Sequence, residues 1–367
     1  MKLPLQIAYL SIVVFVFLLA ACGVRAQPQR QSNDFAAAAD YSRRARGLAM
    51  IVWKDGKVIF EDYQNGHRAE LPWMLASGTK SFSGVLLAAA IEDGIIGGFD
   101  ERVSDTIGEW KSDPLRSKIT FRQLLSLTSG IGDGNIGRPA PYSEAIKSKA
   151  SFPPGEKFRY GPTPFQVFGE ALRRKLSKRN DSVYAYLRRR ILDPISLSPS
   201  KWEMQEGQPN LPSGAYMTAR EWLKFGEFML NGGRIGKLQI IKGELLDELL
   251  KGSAANPNYG VTFWLNRGKA DPSRIVGPRR SPLPALLPIE NSVLRMSLSG
   301  LGDGAPADLF MAAGAANQRL YIIPSLRVIV VRMGRQAEFD DSEFLRLLLN
   351  RPQLKNRPEA INATGIH

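Results

Sequence analysis

The chain has 367 residues, 44% of them hydrophobic and 23% charged, which is ordinary globular composition and ample for a large core. Its 49 Lys and Arg against 35 Asp and Glu give a net charge of +14, but the basic residues are scattered and form no nucleic-acid module. One cysteine excludes a disulfide within the chain, and two histidines, His67 in a turn-like loop and the terminal His367, offer no zinc site and speak against a Ser-His-Asp triad.

Residues 1–21 read as a signal segment, with Lys2 followed by the hydrophobic run Ile7 to Ala21. The run ends Leu19-Ala20-Ala21-Cys22, which is similar to a bacterial lipobox and would make Cys22 the site of lipid attachment. Cleavage after Val24-Arg25-Ala26, or retention of the run as an uncleaved anchor, are the alternatives. On the lipobox reading the protein is exported to the cell envelope, anchored to the membrane by an N-terminal lipid and facing the periplasm. Its basic surface would then face anionic polymers or headgroups. Residues 22–33 are polar enough to be a tether, 34–351 form one domain, and 352–367 are a mobile tail.

Asp34 is placed to cap a short helix beginning at Phe35. Leu48 to Trp53 and Lys57 to Phe60 read as strands, with Lys54-Asp55-Gly56 as the hairpin turn between them. His67 lies in Asn65-Gly66-His67-Arg68 and reads as an exposed loop histidine. Residues from about 77 to 250 are mostly helical, and Asp181 to Leu192 and Thr218 to Leu230 are the clearest segments. Strand signals return at Tyr259 to Leu265, Gln318 to Ile323 and Arg327 to Arg332, the last two joined by a turn at Pro324-Ser325. Asp341 to Leu349 reads as a closing helix, and Lys269 to Ala307 as a long aperiodic connection. Strands at both ends flanking a helical middle predict an α+β fold: an antiparallel sheet flanked by helices, with an inserted mainly helical subdomain.

The chemistry concentrates at Ser77-Gly78-Thr79-Lys80, which opens a helix that is apolar nearly all round, Val85 to Ile91, and stops at Asp93-Gly94. Such a helix belongs in a domain interior. Residues three apart share a helix face, so Lys80 can reach Ser77. Burial lowers a lysine pKa, and the freed lone pair can take the serine proton. Backbone N–H groups at the helix start can hold a developing oxyanion.

Three stretches resemble the penicillin-recognising serine hydrolases, the group with class C β-lactamases, family VIII esterases and nylon-oligomer hydrolases. They are Ala76 to Phe82, Glu92 to Gly97 with Val103-Ser104-Asp105, and Leu124 to Gly130. The resemblance runs from Gly47 to Leu349 and implies the β-lactamase/transpeptidase-like fold. At Leu127 the family usually has a histidine. Pro153 to Tyr160 resembles the approach to the family's tyrosine, which makes Tyr160 the shared acid/base, a phenol that Lys80 would shift towards phenolate. Pro162 stands where the family has an asparagine. Ala312-Ala313-Gly314 matches the family's third motif without its basic and hydroxyl side chains. There the resemblance implies an oxyanion hole built from the N–H groups of Ser77 and Ala315 beside Gly314. Arg319 is near but is expected on a strand face turned elsewhere.

The catalytic set is therefore expected to be Ser77, Lys80 and Tyr160, with no metal or cofactor. The resemblance implies a serine hydrolase acting through an acyl-enzyme on small esters or amides. The alternatives are a β-lactamase or D-Ala-D-Ala peptidase acting on a peptidoglycan-like substrate, and a non-catalytic envelope-binding protein on the same fold.

Overall fold

The computed structural model describes residues 35–132, 139–277, 287–302 and 304–349. Cys22, the signal segment, the tether and the C-terminal tail lie outside them. The first helix, α1 (Ala36–Arg44), leads into the hairpin β1 (Gly47–Lys54) and β2 (Lys57–Tyr63). Its N-cap is Phe35, with no side-chain cap bond. The two turn residues, Asp55 (φ 47°) and Gly56 (φ 89°), are both left-handed, the conformation that lets a two-residue turn follow the strand twist.

Helix α2 (Lys80–Glu92) follows a 3₁₀ turn over Ala76–Thr79, so the helical path starts at the serine as expected. Every residue of α2 from Lys80 to Ala90 is buried. Gly94, at φ 64°, closes it with the Ile95 amide donating to Ala90 O. Next come α3 (Thr163–Ser177) and α4 (Ala219–Leu230), the latter capped by Thr218, whose hydroxyl accepts the Glu221 amide. The segment expected as one helix from Asp181 is helical over Val183–Leu187 and turns into a π-helical stretch at Arg188–Leu192. Its three consecutive arginines are all ion-paired: Arg188 with Asp193, Arg189 with Asp181, and Arg190 with Glu92 and Asp93.

The second half of the sheet consists of β3 (Trp264–Leu265), β4 (Phe310–Gly314), β5 (Gln318–Ile323) and β6 (Val328–Gly334). Only Trp264 and Leu265 of the expected strand from Tyr259 pair with β4. Thr262 sits at φ 78° and Gly260 donates to Phe263 O, so the chain turns there instead of extending. The connection read as aperiodic contains helix α5 (Leu287–Ser299), and α6 (Asp341–Leu349) closes the fold as expected.

The six strands described in this sheet run in the order β3-β4-β5-β6-β1-β2, all antiparallel. β1 pairs with β6 (Ile51 opposite Val331), so the N-terminal hairpin completes a sheet whose other strands arrive some 200 residues later. Both faces are covered, by α1 and α6 on one and α4 on the other. This is why Leu48 to Trp53 is buried without the alternation of a half-exposed strand. Phe82 of α2 stacks on Phe225 of α4 (centroids 4.1 Å) and meets Trp202 edge-on (5.6 Å), which ties the serine-bearing helix to the sheet layer. Phe82→Ala is expected to destabilise the protein by about 3–5 kcal/mol, read as a lower urea midpoint with an unchanged slope.

Candidate active site

The serine turn is built from close approaches. Ala76, immediately before it, has φ 47°, a conformation that costs a non-glycine residue of order 1 kcal/mol and recurs at functional sites. Leu75 N donates to Ala215 O (2.9 Å), and Ala215 N donates to the Thr79 hydroxyl (3.2 Å), so the turn is clamped at both ends. Gly78 lies against the indole of Trp222, where a Cβ would come within 2.8 Å of the ring.

Lys80 is 3% exposed. Its Nζ is hydrogen-bonded to Ser77 Oγ at 3.0 Å and donates to Pro212 O at 3.1 Å. It lies over the rings of Tyr160 and Phe165, 5.2 Å from each centroid. Burial lowers its pKa to about 7. A neutral amine, with a lone pair for the serine proton, is therefore well populated at neutral pH.

Tyr160 is stacked on Trp264 (5.7 Å) and lines the cavity beside Ser77. Burial pushes its pKa up to about 12, against the pull of the Ser77 side chain and the Arg319 charge. The expected shift towards phenolate is thus corrected: desolvation of the anion wins, and at rest the group is a neutral phenol able to donate a proton.

Strand β4 forms the facing wall. A Cβ on Gly314 would lie 2.0 Å from Leu75 O and 3.0 Å from Gly78 N, so only glycine allows the strand this close to the serine turn. Ser77, Tyr160, Gly314 and Ala315 all line one small cavity of about 30 Å³. Trp264 and, from α5, Val293 and Met296 supply its apolar side. Past Ser292 and Asn317, which line both, lies a wider cleft of about 690 Å³ whose walls carry Arg44, Arg295, Glu338 and Asp340.

Two further expectations are corrected. Arg319 is not turned away; it lines the cavity, 2% exposed, with Nε and Nη2 on Asp341 at 2.7 and 3.1 Å. His67 is not an exposed loop residue; it is 9% exposed and packs between Tyr63 and Trp73. Pro162 is the N-cap residue of α3 and brings no amide to the site, and Leu127, at φ 61°, is buried in the core. Trp264 and the α5 residues were missed, and Arg319 was placed near the site but with the wrong orientation. A single arginine just ahead of the apolar run Leu320 to Ile323, with an aspartate opening the closing helix, was the available signal for the orientation of Arg319. Among the described residues no cluster of His, Cys, Asp and Glu is arranged to hold a metal.

Because protonated Lys80 has no lone pair, the nucleophilicity of Ser77 should rise with pH through the lysine pKa of about 7 and then level off. Labelling rates with a fluorophosphonate should climb roughly tenfold per pH unit below that value. A flat profile there would exclude Lys80 as the base.

The β-lactamase family profile matches residues 30–349. An uncharacterised protein of Alkalihalophilus pseudofirmus is 21% identical over 239 residues, which span 58% of this chain and 66%, just under two thirds, of that one. A candidate 6-aminohexanoate-dimer hydrolase from Bacillus anthracis superposes with a TM-score of 0.64 at 17% identity, covering 85% of this chain and 80% of its own. EstCE1, a hydrolase with promiscuous acyltransferase activity, superposes at 0.60 with 14% identity, covering 88% and 97%. Identities this low speak for the fold alone, and it is the fold described above. With the profile spanning nearly all of the described residues, the chain belongs to the β-lactamase family of serine hydrolases.

Proposed function

We propose that the protein hydrolyses small esters or amides through an acyl-enzyme on Ser77. The observation that carries this is the desolvated Lys80 amine, 3.0 Å from the serine hydroxyl at the floor of a cavity. Lys80 Nζ takes the Ser77 proton as Oγ attacks the substrate carbonyl. The N–H groups of Ser77 and Ala315 receive the oxyanion. Tyr160 gives its proton to the departing oxygen or nitrogen and is reprotonated from Lys80. Water then repeats the sequence on the acyl-serine, releasing the acid and restoring Ser77.

The walls support a substrate that is small and uncharged near the reacting carbonyl. The cavity beside Ser77 is small, about 30 Å³, and the rest of a substrate would lie in the wider cleft next to it. Where the family has groups for a substrate carboxylate and a side-chain amide, this chain has Ala312, Ala313 and Pro162. Among the described residues that line the cavity the cation is Arg319, and it is already paired with Asp341. A missing charge-assisted hydrogen bond weakens binding by about 1.5–3 kcal/mol, so β-lactams and D-Ala-D-Ala peptides should turn over poorly. The hydrophobic segment before Cys22 supports placing this activity in the cell envelope, on a lipid anchor.

Intact-mass analysis after parallel exposure to a fluorophosphonate, a p-nitrophenyl ester and a cephalosporin tests the assignment. The expected result is an adduct mapping to Ser77 with the first two and little with the third. Ser77→Ala should remain folded and lose at least about 1,000-fold in ester turnover. Efficient cephalosporin hydrolysis with negligible esterase activity would reverse the substrate class, and absence of any Ser77 adduct would sink the catalytic reading. Lys80→Ala and Tyr160→Phe should each cripple acylation, with the double variant little worse than either, since groups that act as a unit are non-additive.

A further inference from the structure

β4 is hydrogen-bonded on one edge to β3 only through Phe310 and Met311. Beyond them β4 runs against the serine turn, with Gly314 crowded by Leu75 and Gly78 and with Gly314 and Ala315 lining the same cavity as Ser77. On the other edge β4 pairs with β5, with Ala313 opposite Arg319 and Gly314 opposite Gln318. From there Arg319 Nη1 donates to Gly314 O (3.1 Å) and to Gln318 O (3.0 Å). The carbonyl of Gly314 and the N–H of Ala315 belong to one peptide group. The described chain has no cis peptide, so the two point in opposite directions. A carbonyl held towards β5 therefore turns the Ala315 N–H to the free edge, where Ser77 lies.

We propose that Arg319 is a positioning residue for the oxyanion hole: its guanidinium holds and polarises the Gly314–Ala315 peptide and so aims the Ala315 N–H at the carbonyl bound to Ser77. A cation donating to the carbonyl end of a peptide strengthens the N–H at its other end as a donor. Asp341 keeps the guanidinium in place, gripping Nε and Nη2 while accepting the Tyr321 hydroxyl at 2.5 Å. Burial works against the Arg319 charge, and the Asp341 carboxylate outweighs it, so the cation persists at every working pH. The cross-strand neighbour Arg332 takes no part; it donates to Ser42 and to the Ala45 and Asn317 carbonyls. With Asp341 occupying two of its nitrogens, Arg319 serves the backbone and not a substrate carboxylate.

This inference rests on acylation of Ser77, and one experiment separates the two. Wild type and the neutral pair Arg319→Gln/Asp341→Asn, which avoids stranding a buried charge, are carbamoylated with 4-nitrophenyl dimethylcarbamate labelled with ¹³C at the carbonyl. The Ser77 oxygen displaces nitrophenolate, and the serine proton leaves through Lys80. The isotope-edited infrared band of the Ser77 adduct reports hydrogen bonding to its carbonyl. In the wild type it should lie at lower wavenumber than in the denatured adduct, and in the variant it should move back towards that value. Ester turnover should fall about 10- to 100-fold. Arg319→Lys keeps a cation opposite Asp341 but loses the planar fork that holds Asp341 and Gly314 from separate nitrogens; it should shift the band the same way, and covers the case in which the double variant fails to fold. A Ser77 adduct with an unchanged band in folded variants would overturn this inference alone, since a merely structural loss lowers turnover without moving the band. A wild type that forms no Ser77 adduct would overturn the proposed function, and this inference with it.

Discussion

The site depends on taking one lysine out of water. Lowering the Lys80 pKa from 10.5 to about 7 means that the folded state carries a penalty of about 5 kcal/mol wherever both states would be charged. The sign follows from proton counting. Below about pH 7 the folded and unfolded chains both bind the proton and the penalty is full. Between there and the unfolded pKa the folded state binds fewer protons, so stability rises with pH. That is a large fraction of a typical domain's net stability, and it has to be offset by the packing around it. The helix α2, buried from Lys80 to Ala90, the Phe82–Phe225 stack and the clamped serine turn are what keep water from the amine.

The same desolvation sorts the two titrating groups by role. A buried cation gives up its proton more readily and a buried phenol less readily, so one environment suits Lys80 to the base's part and Tyr160 to the acid's part in the proposed reaction. No histidine is required, which fits a chain with only two of them. The opposite wall solves a different problem, that of bringing backbone donors close to the serine. It is solved by a glycine where any side chain would strike Leu75 O, and by a strand edge left unpaired past Met311.

Pro162, Ala312 and Ala313 stand where the family has side chains for the substrate, while the residues proposed to act on the reacting carbonyl, Ser77, Lys80, Tyr160 and Gly314, are present. In place of a free cation on the wall there is a buried Arg319–Asp341–Tyr321 group directed at the backbone. Trp264, Val293 and Met296 form the apolar side of the cavity, which is in keeping with the uncharged substrates proposed for it.

Local spacing alone was enough to place Lys80 one turn after Ser77, to end α2 at Gly94, to set the Asp55–Gly56 hairpin and to cap α4 at Thr218. Each of these is decided by residues within a few positions of one another. The resemblance to the family added Tyr160 and Gly314, which geometry brings to the same cavity. Other features depended on which distant segments meet. The run from Tyr259 has strand composition but turns at Thr262, because only two of its residues find a partner in β4. α5 was hidden in a Pro- and Arg-rich connection. His67 looks exposed by its turn-like neighbours and is buried because Trp73 folds over it. The direction of the Tyr160 shift and the orientation of Arg319 were likewise beyond the sequence. The first is set by how completely water is excluded, the second by a carboxylate 22 positions away. Burial and long-range charge pairing are properties of the assembled interior, and no local pattern encodes them.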